Sequence, residues 1–499
     1  MVPDLLERGN SSQIAAVMAG GGLAVTYEQL RRQVNALANR LSELGIHRGD
    51  RVAIALPNGI EMLVSFLAAS LAGTAAPLNP AYKLEEFRFY LGDTSARALI
   101  VPANGAHEAR AAAGEQTLII GADLDADGQV RFQAAGSGDS CETLTYPSPD
   151  DIALVLHTSG TTSRPKRVPL SHANVIASAK TVAKTYELTS DDVSLCVMPL
   201  FHVHGLVASA LATLATGGTI VFAPRFNPLS FWSTVGTHRA SWYSAVPTIH
   251  QLLLSRAKER ARPAGAEHLR FIRSCSAALS PQSMAEMENK FGAPVLEAYG
   301  MTEAAHQMAS NPLPPSMRLP GSVGRETGVK IAVLDEKGEL LPAETRGEVA
   351  IKGPNVFRGY EGNPEANAES FTNGWFRTGD EGYLNSEGYL TLVGRIKELI
   401  NRGGEKIAPR EIDETLATHP AVAEAVCCGI TDRFYGEEVA AAVVLRSSTT
   451  EAELMNHCKS LLADFKCPKV IYIVTAIPRT ATGKVQRRNV ALEMTKLHG

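Results

Sequence analysis

The chain has 499 residues, 45% of them apolar and 20% charged, an ordinary balance for a globular protein with more than one domain. Its net charge of −4 gives no electrostatic reason to expect nucleic acid as a partner. Seven cysteines without a C-x-x-C spacing favour reduced thiols over a disulfide framework. Because no apolar run is long enough for a membrane span and the first ten residues lack a signal-peptide core, a cytoplasmic protein is expected.

Strands and helices are predicted to alternate in the first part of the chain. Apolar residues recur at helical spacing over 26–45, where Thr26 is the expected N-cap. The next predicted elements are a strand at 51–56, a helix at 60–71, a strand at 74–78, a helix at 84–91 and a strand at 98–101. This alternation predicts an α/β fold, with sheets layered with helices.

A buried strand predicted at 152–156 leads into a polar loop that ends in a lysine. The loop contains Thr158, Ser159, Gly160, Thr161, Thr162 and Lys166. Backbone N–H groups and hydroxyls in such a loop can surround phosphate oxygens, and the lysine adds positive charge. The loop differs from that of kinases and GTPases, because Pro165 stands where their second glycine is required. Nucleotide binding is therefore a hypothesis, with a polar surface turn as the alternative.

The pattern of short elements restarts after a strand predicted at 388–393. The predicted elements that follow are a helix at 409–419, strands at 422–429 and 438–445, a helix at 451–465 and a strand at 470–474. About a hundred residues are a normal size for one compact domain. The sequence thus predicts a large N-terminal domain at 1–394 and a small, mobile α+β domain at 395–499.

Four further motifs follow the polar loop in the chain. They are Glu297-Ala298-Tyr299-Gly300-Met301-Thr302-Glu303, Thr378-Gly379-Asp380, Gly394-Arg395-Ile396-Lys397-Glu398 and Thr482-Gly483-Lys484. With these motifs the chain resembles the adenylate-forming superfamily of acyl-CoA synthetases, luciferases and peptide-synthetase adenylation domains. The resemblance runs from about residue 27 to residue 488. It implies that ATP activates a carboxylic acid as an acyl-adenylate, and that CoA then takes the acyl group as AMP leaves.

The resemblance also implies a role for each motif residue. The polar loop would hold the β- and γ-phosphates, Thr302 the α-phosphate and Glu303 a Mg²⁺ ion, while Lys484 would bridge the substrate carboxylate and the α-phosphate. The implied nucleotide-binding residues are Ser276, Ala277, Ala278, Glu297, Ala298, Tyr299, Gly300, Asp380 and Arg395. ATP, Mg²⁺ and CoA are the expected cofactors, and a small carboxylic acid is the expected partner.

The resemblance places a hinge at Lys397, about which the small domain would rotate between the two half-reactions. Lys484 would face the site during adenylation. Afterwards Arg402, Gly403 and Gly404 would line the route for CoA, where glycines suit a backbone that passes close to a ligand.

The segments around the expected acyl pocket look most like the oxalate–CoA ligase branch of this superfamily. They contain His202, His204, Arg273, Ser274 and His306. Polar and cationic side chains suit an acid with a second carboxylate, whereas a fatty-acid tunnel needs apolar walls. His202 occupies a gate position common to the wider family, so it discriminates little between acids.

Several alternatives to an oxalate–CoA ligase remain open at this point. The histidines can instead be structural, and nearby apolar residues such as Leu206 and Met308 keep a fatty or aryl acid as the alternative substrate. Loading of a carrier protein and a non-catalytic nucleotide-binding role are further alternatives. Arg167 departs from the family, which usually has glycine after the loop lysine; if that position required positive φ, arginine would strain the backbone.

Overall fold

The computed structural model describes residues 1–20, 22–134, 144–158, 165–257, 261–480 and 483–498. The chain forms two compact units. The first comprises Met1–Lys330 and Lys352–Glu369, and the second comprises Ile331–Ile351 and Ser370–Gly499. The second unit thus begins before the predicted boundary at residue 394, because the strand that ends at Arg395 pairs with the strand that contains Asp380. A rotation about Lys397 stays a prediction.

The first unit contains a sheet of nine described strands, which is parallel in its centre and antiparallel at both edges. In spatial order the strands are Arg325–Glu326, His306–Ser310, Val295–Met301, Phe271–Ser274, Trp242–Ala245, Val193–Cys196, Thr219–Phe222, Ile14–Met18 and Ala24–Thr26. The central strands are buried on both faces, as expected for a parallel sheet covered by helices.

A second sheet of the first unit has seven described strands. In spatial order they are Val130–Ala134, Leu118–Leu124, Ala98–Pro102, Arg51–Ile54, Thr74–Pro77, Ile152–His157 and Arg167–Ser171. The first and last pairs are antiparallel and the others parallel. The predicted strands at 51–56, 74–78, 98–101 and 152–156 are confirmed.

The helices of the first unit begin and end where local sequence signals favour it. Thr26 caps the helix Tyr27–Glu43 and forms a capping box with Gln29. The other helices are Ile60–Ala72, Leu84–Thr94, His107–Ala112, His172–Thr185, Val203–Gly205, Ala212–Leu214, Phe231–His238, Pro247–Arg256, Pro281–Phe291 and, reaching the unit boundary, Pro364–Ser370. A π-helical turn, Leu206–Leu211, interrupts one of them beside His204, and such turns often mark functional sites.

The second unit contains two mostly antiparallel sheets. One is built from Lys330–Leu334, Gly347–Lys352, Trp375–Leu384, Phe371–Thr372 and Leu390–Arg395. The other is built from Glu405–Ile407, Ile400–Arg402, Gly436–Leu445, Val422–Asp432 and Val470–Ile473. Helices Pro409–Ala417, Glu451–Leu461 and Arg487–His498 complete the unit, so the α/β class with a smaller C-terminal α+β part is confirmed. In the described residues no helix is both long and apolar enough to cross a bilayer.

Candidate active site

Polar side chains gather where adjacent parallel strands of the nine-stranded sheet reach their carboxyl ends. His204 follows one strand, and Ser244 lies near the end of the next. Arg273 and Ser276 belong to the third strand and the turn after it, while His306 begins the antiparallel strand beyond. Ligand sites of open α/β sheets form at this edge, because the loops there converge.

These side chains form one hydrogen-bonded group, named here the Arg273 cluster. Its members are Tyr186, His204, Ser244, Arg273, Ser276, His306 and Gln307. The guanidinium donates from Nε to the Tyr186 hydroxyl (2.8 Å) and from Nη1 to Ser244 Oγ (2.9 Å). Nη2 contacts Gln307 Oε1 at 3.1 Å and His306 Nδ1 at 3.4 Å. His204 Nε2 lies 2.6 Å from Ser244 Oγ, and its Nδ1 lies 3.0 Å from Ser276 Oγ.

The cluster carries one buried positive charge. Arg273 is completely buried, and no acidic side chain of the described residues pairs with it. Burial, and after it the charge of Arg273, holds the pKa of His204 and of His306 well below the usual 6.5, so both imidazoles are neutral. The site therefore presents a fixed cation and neutral donors.

Strained backbone holds two members of the cluster in place. Ser276 has φ of 72° and His306 has φ of 119°, which is unusual for residues with a side chain. Gly300 makes the second conformation possible, because a Cβ at that position would lie 2.2 Å from the carbonyl oxygen of His306. Such strain collects at functional sites.

Ser274, which was predicted with the substrate residues, does not join the Arg273 cluster. Successive strand residues point to opposite faces, so its side chain points away from that of Arg273. Its buried Oγ has no hydrogen-bond partner in the described part of the chain. His202 lies next to the cluster, with Nδ1 3.3 Å from the backbone nitrogen of His204.

Thr302 and Glu303 lie in a 3₁₀ turn between the strands Val295–Met301 and His306–Ser310. Glu303 is 6% exposed, and its Oε1 accepts a hydrogen bond of 2.8 Å from the Tyr360 hydroxyl. Lys166 Nζ lies 4.5 Å from the centre of the Tyr360 ring. The lysine of the polar loop and the predicted metal-binding carboxylate are therefore brought together by one tyrosine.

The polar loop is described only at its two ends. Ser159, Gly160, Thr161 and Thr162 lie outside the described residues. The Thr158 backbone nitrogen donates to the Lys166 carbonyl (3.0 Å), which closes the loop. Arg167 causes no strain, because it lies in an extended strand, and its guanidinium pairs with Asp93 (3.1 Å) and approaches Glu361 (3.6 Å).

The predicted adenine segment is an exposed turn. Ala277 and Ala278 are exposed after Ser276, and Glu297 supports the turn by accepting a hydrogen bond of 3.2 Å from the Leu279 backbone nitrogen. Ala298 and Tyr299 are mostly buried in the neighbouring strand. The strand has a bulge between Tyr299 and Gly300.

Asp380 and Arg395 face each other on paired strands of the second unit. Arg395 Nε lies 2.7 Å from Asp380 Oδ1, and the two residues are register partners. Lys397 follows in the 3₁₀ turn Ile396–Glu398. The predicted ribose ligands are therefore neighbours, and the predicted hinge residue lies two positions after Arg395.

Arg402, Gly403 and Gly404 lie in and after the short strand Ile400–Arg402, at a tight turn of the second unit. Both glycines have positive φ, 60° and 100°. Glu438 binds the Arg402 guanidinium at 2.6 and 3.1 Å. Lys484 is exposed and lies in a separate turn, where its backbone nitrogen donates to Thr480 Oγ1 (3.1 Å).

Sequence reasoning missed Ser244, Tyr186, Gln307 and Tyr360. Serine and tyrosine are common in strands and helices, so nothing in the pattern singles them out. The contact of Ser244 with Arg273 depends on the pairing of neighbouring parallel strands, and that of Tyr360 with Glu303 joins residues far apart in the chain.

Comparison with known proteins identifies the family of the chain. The model of the AMP-binding enzyme family matches residues 7–361, and that of the AMP-binding enzyme C-terminal domain matches residues 411–484. An oxalate–CoA ligase of Arabidopsis thaliana is 47% identical over 487 residues, 95% of each chain. One from Saccharomyces cerevisiae is 43% identical over 97% of this chain and 95% of its own.

A solved structure of the O-succinylbenzoate coenzyme A synthetase of Bacillus subtilis, in complex with ATP and a magnesium ion, has a TM-score of 0.84. It is 31% identical to this chain and covers 98% of both chains. The chain therefore belongs to the AMP-binding enzyme family, as an AMP-forming carboxylate–CoA ligase.

Proposed function

We propose that the acid activated by this ligase is oxalate. The observation that carries the proposal is the buried guanidinium of Arg273, which lacks an acidic partner among the described residues. A buried charge is costly unless an opposite charge compensates it. The second carboxylate of oxalate supplies that charge, whereas a fatty chain would leave the buried charge of Arg273 uncompensated. The two oxalate–CoA ligases among the relatives support the same choice.

In the proposed reaction one carboxylate of oxalate attacks the α-phosphate of ATP. Pyrophosphate leaves, and the product is a mixed anhydride with AMP as its leaving group. The CoA thiolate then attacks the acyl carbon and AMP departs. Lys484 would neutralise charge between the attacking carboxylate and the α-phosphate, and Thr302 would donate a hydrogen bond to that phosphate. His202 would border the path of the acyl carbon.

The residues around Glu303 fit a Mg²⁺ site. Its carboxylate is mostly buried and is oriented by Tyr360, and a hard divalent cation prefers oxygen ligands. No cluster of three metal-binding side chains occurs in the described ranges, so phosphate oxygens would complete the coordination. Bound Mg²⁺ supplies neutralisation of phosphate charge. Asp380 and Arg395 would hold the ribose, and the turn at Gly403 and Gly404 would border CoA.

Pyrophosphate release with ATP, Mg²⁺ and CoA should be measured over oxalate, malonate, acetate, octanoate, palmitate and coumarate. We expect oxalate to give the highest kcat/KM. A preference for octanoate or coumarate would sink the oxalate proposal and leave the ligase class intact. The variant Glu303→Gln is the control for background hydrolysis, since it should reduce release with every acid.

A further inference from the structure

Arg273 is an unusual candidate for a substrate ligand, because its donors are already engaged. The contacts with Tyr186, Ser244, Gln307 and His306 use four of its five N–H groups. The Cys275 thiol is a further neighbour of the guanidinium. A carboxylate that binds arginine directly takes two parallel N–H groups on one edge, and no such pair is left.

A first branch of hydrogen bonds starts at the Arg273 guanidinium and runs through Ser244 and His204 to Ser276. Arginine can only donate, so Ser244 Oγ accepts from Arg273, and His204 Nε2 is the one acceptor that the described residues offer to the Ser244 hydroxyl hydrogen. His204 must then carry its proton on Nδ1 and donate to Ser276 Oγ. The hydroxyl hydrogen of Ser276 is left to point outward, and Ser276 is partly exposed.

A second branch of hydrogen bonds starts from Nη2 of the Arg273 guanidinium and leads to His306. His306 Nδ1 receives Nη2–H of Arg273, so its proton sits on Nε2. The rings of His204 and His306 are adjacent, with centroids 5.2 Å apart. The first branch thus ends at Ser276, beside His204, and the second at His306, whose ring is next to that of His204; both end residues have positive φ.

We propose that Arg273 is a positioning residue, whose two branches aim the Ser276 O–H and the His306 Nε2–H at the second carboxylate of the substrate. The inference rests on the proposed function for the identity of that anion. It assigns the contact to two neutral donors, while the buried cation fixes their hydrogens and supplies the charge. Because their hydrogen bonds fix the direction of these two neutral donors, they favour a planar dianion over a monoacid of similar size. The methyl group of the monoacid would leave both donors without an acceptor.

The tautomers are the first test, and they are measured without any acid present. In ¹⁵N-histidine spectra of the wild-type chain, His204 should carry its proton on Nδ1 and His306 on Nε2. Ser244→Ala should return His204 to the Nε2 form, with Arg273 still in place. Finding Nε2–H at His204 in the wild type would overturn the branch, whatever acid the enzyme uses.

A double-mutant cycle is the second test, with kcat/KM for oxalate and for acetate as readouts. Arg273→Met should reduce the value for oxalate on the order of 100-fold, and Ser244→Ala about tenfold, with a far smaller effect on acetate. For the double variant, kcat/KM for oxalate should lie within about threefold of the value for Arg273→Met, because the loss of Arg273 already disrupts the branch that runs through Ser244. Fully additive losses would mean that Arg273 binds the substrate independently of Ser244.

Arg270→Met is the matched control. It removes a guanidinium from the same segment, one that pairs with Asp192 at 2.6 Å and touches the Arg273 cluster only at the backbone carbonyl of Tyr186 (3.4 Å). Its oxalate-to-acetate ratio should equal that of the wild type. If the wild type turns over no oxalate, the substrate proposal fails while the tautomer measurement still decides the role of Arg273.

Discussion

Several buried histidines of the first unit are held in neutral form. Burial lowers the pKa of His250 to about 3 and that of His172 to about 4. His204 and His306 titrate well below 6.5 for the same reason, joined by the charge of Arg273. At neutral pH the cluster has one charge, and mild acidification does not change it. Substrate preference should therefore depend little on pH between 6 and 8.

Stability, unlike substrate preference, should depend on pH in the acidic range. An unfolded histidine binds a proton near pH 6.5 but folded His250 does not, so the unfolded state binds more protons and stability falls as the pH falls. Each such histidine contributes about 1.4 kcal/mol per pH unit below about pH 6. We expect His250→Phe to reduce the slope of unfolding free energy against pH by this amount, measured by urea unfolding at pH 6 and pH 5. An unchanged slope would mean that folded His250 is protonated.

At the level of single elements, the strand Val295–Met301 connects several functional positions. It carries Glu297 under the predicted adenine segment and the bulge before Gly300, and Thr302 and Glu303 follow directly after it. The sequence made this segment recognisable as a motif, though not as a strand, because its motif residues are consecutive. It could not reveal the backbone contact between Gly300 and His306, which depends on the bulge and on an antiparallel partner.

Gly300→Ala tests that contact. The new Cβ would lie 2.2 Å from the His306 carbonyl and 3.0 Å from its Nδ1, so the imidazole must move. We expect kcat/KM for oxalate to fall at least about tenfold, a loss typical of a displaced hydrogen bond to a charged group. Gly388→Ala is the control, a positive-φ glycine in a turn with open space around it. Equal activity of Gly300→Ala and the wild type would show that the position of His306 is not critical.

The helix Arg487–His498 is fastened to its unit by its first residue. Arg487 pairs with Asp413 at 2.7 Å and with Glu398 at 3.3 Å, and it donates to the Cys427 carbonyl. These contacts tie the segment after Lys484 to the turn that holds Lys397. The sequence shows Arg487 only as one of several basic residues near the end of the chain, and charge alone does not reveal a buried partner.

Removing this arginine should destabilise the second unit strongly. Arg487→Met leaves Asp413 unpaired in a mostly buried site, and breaking such a pair costs about 3–5 kcal/mol. Hydrogen exchange at the amides of helix Arg487–His498 should accelerate accordingly, whereas Lys496→Met, at an exposed position of the same helix, should change it little. Adding Asp413→Leu to Arg487→Met should recover part of the lost stability. If Arg487→Met does not accelerate exchange and the double variant recovers nothing, the pair does not stabilise the unit.

At the scale of the whole molecule, the order of the motifs predicted the family, and the alternation of apolar segments predicted the fold class and eight of the described strands. Contacts between distant segments were not predictable in the same way. The strand pair that contains Asp380 and Arg395 belongs to the second compact unit, although the sequence pattern restarts only after it. Similarly, Ser244 reaches Arg273 only because a parallel sheet places their strands side by side.

Two separate turns of the second unit are assigned to different half-reactions. Lys484 lies in the turn between Arg479 and Val485, and Gly404 in the hairpin between Arg402 and Glu405. We therefore expect Lys484→Ala to abolish ATP–pyrophosphate exchange, because the charge between carboxylate and α-phosphate is lost, while CoA still reacts with supplied acyl-adenylate.

Gly404→Leu should produce the opposite result. Its Cβ would meet nothing within 4 Å inside the unit, but a bulky side chain at a φ of 100° obstructs a ligand that must pass close to the backbone. Exchange should persist and thioester formation should fall by about tenfold or more, as for a displaced ligand contact. Rapid-quench measurement of each half-reaction separates the two variants. If both variants lose both half-reactions equally, one arrangement of the second unit serves the whole reaction, and the rotation about Lys397 is wrong.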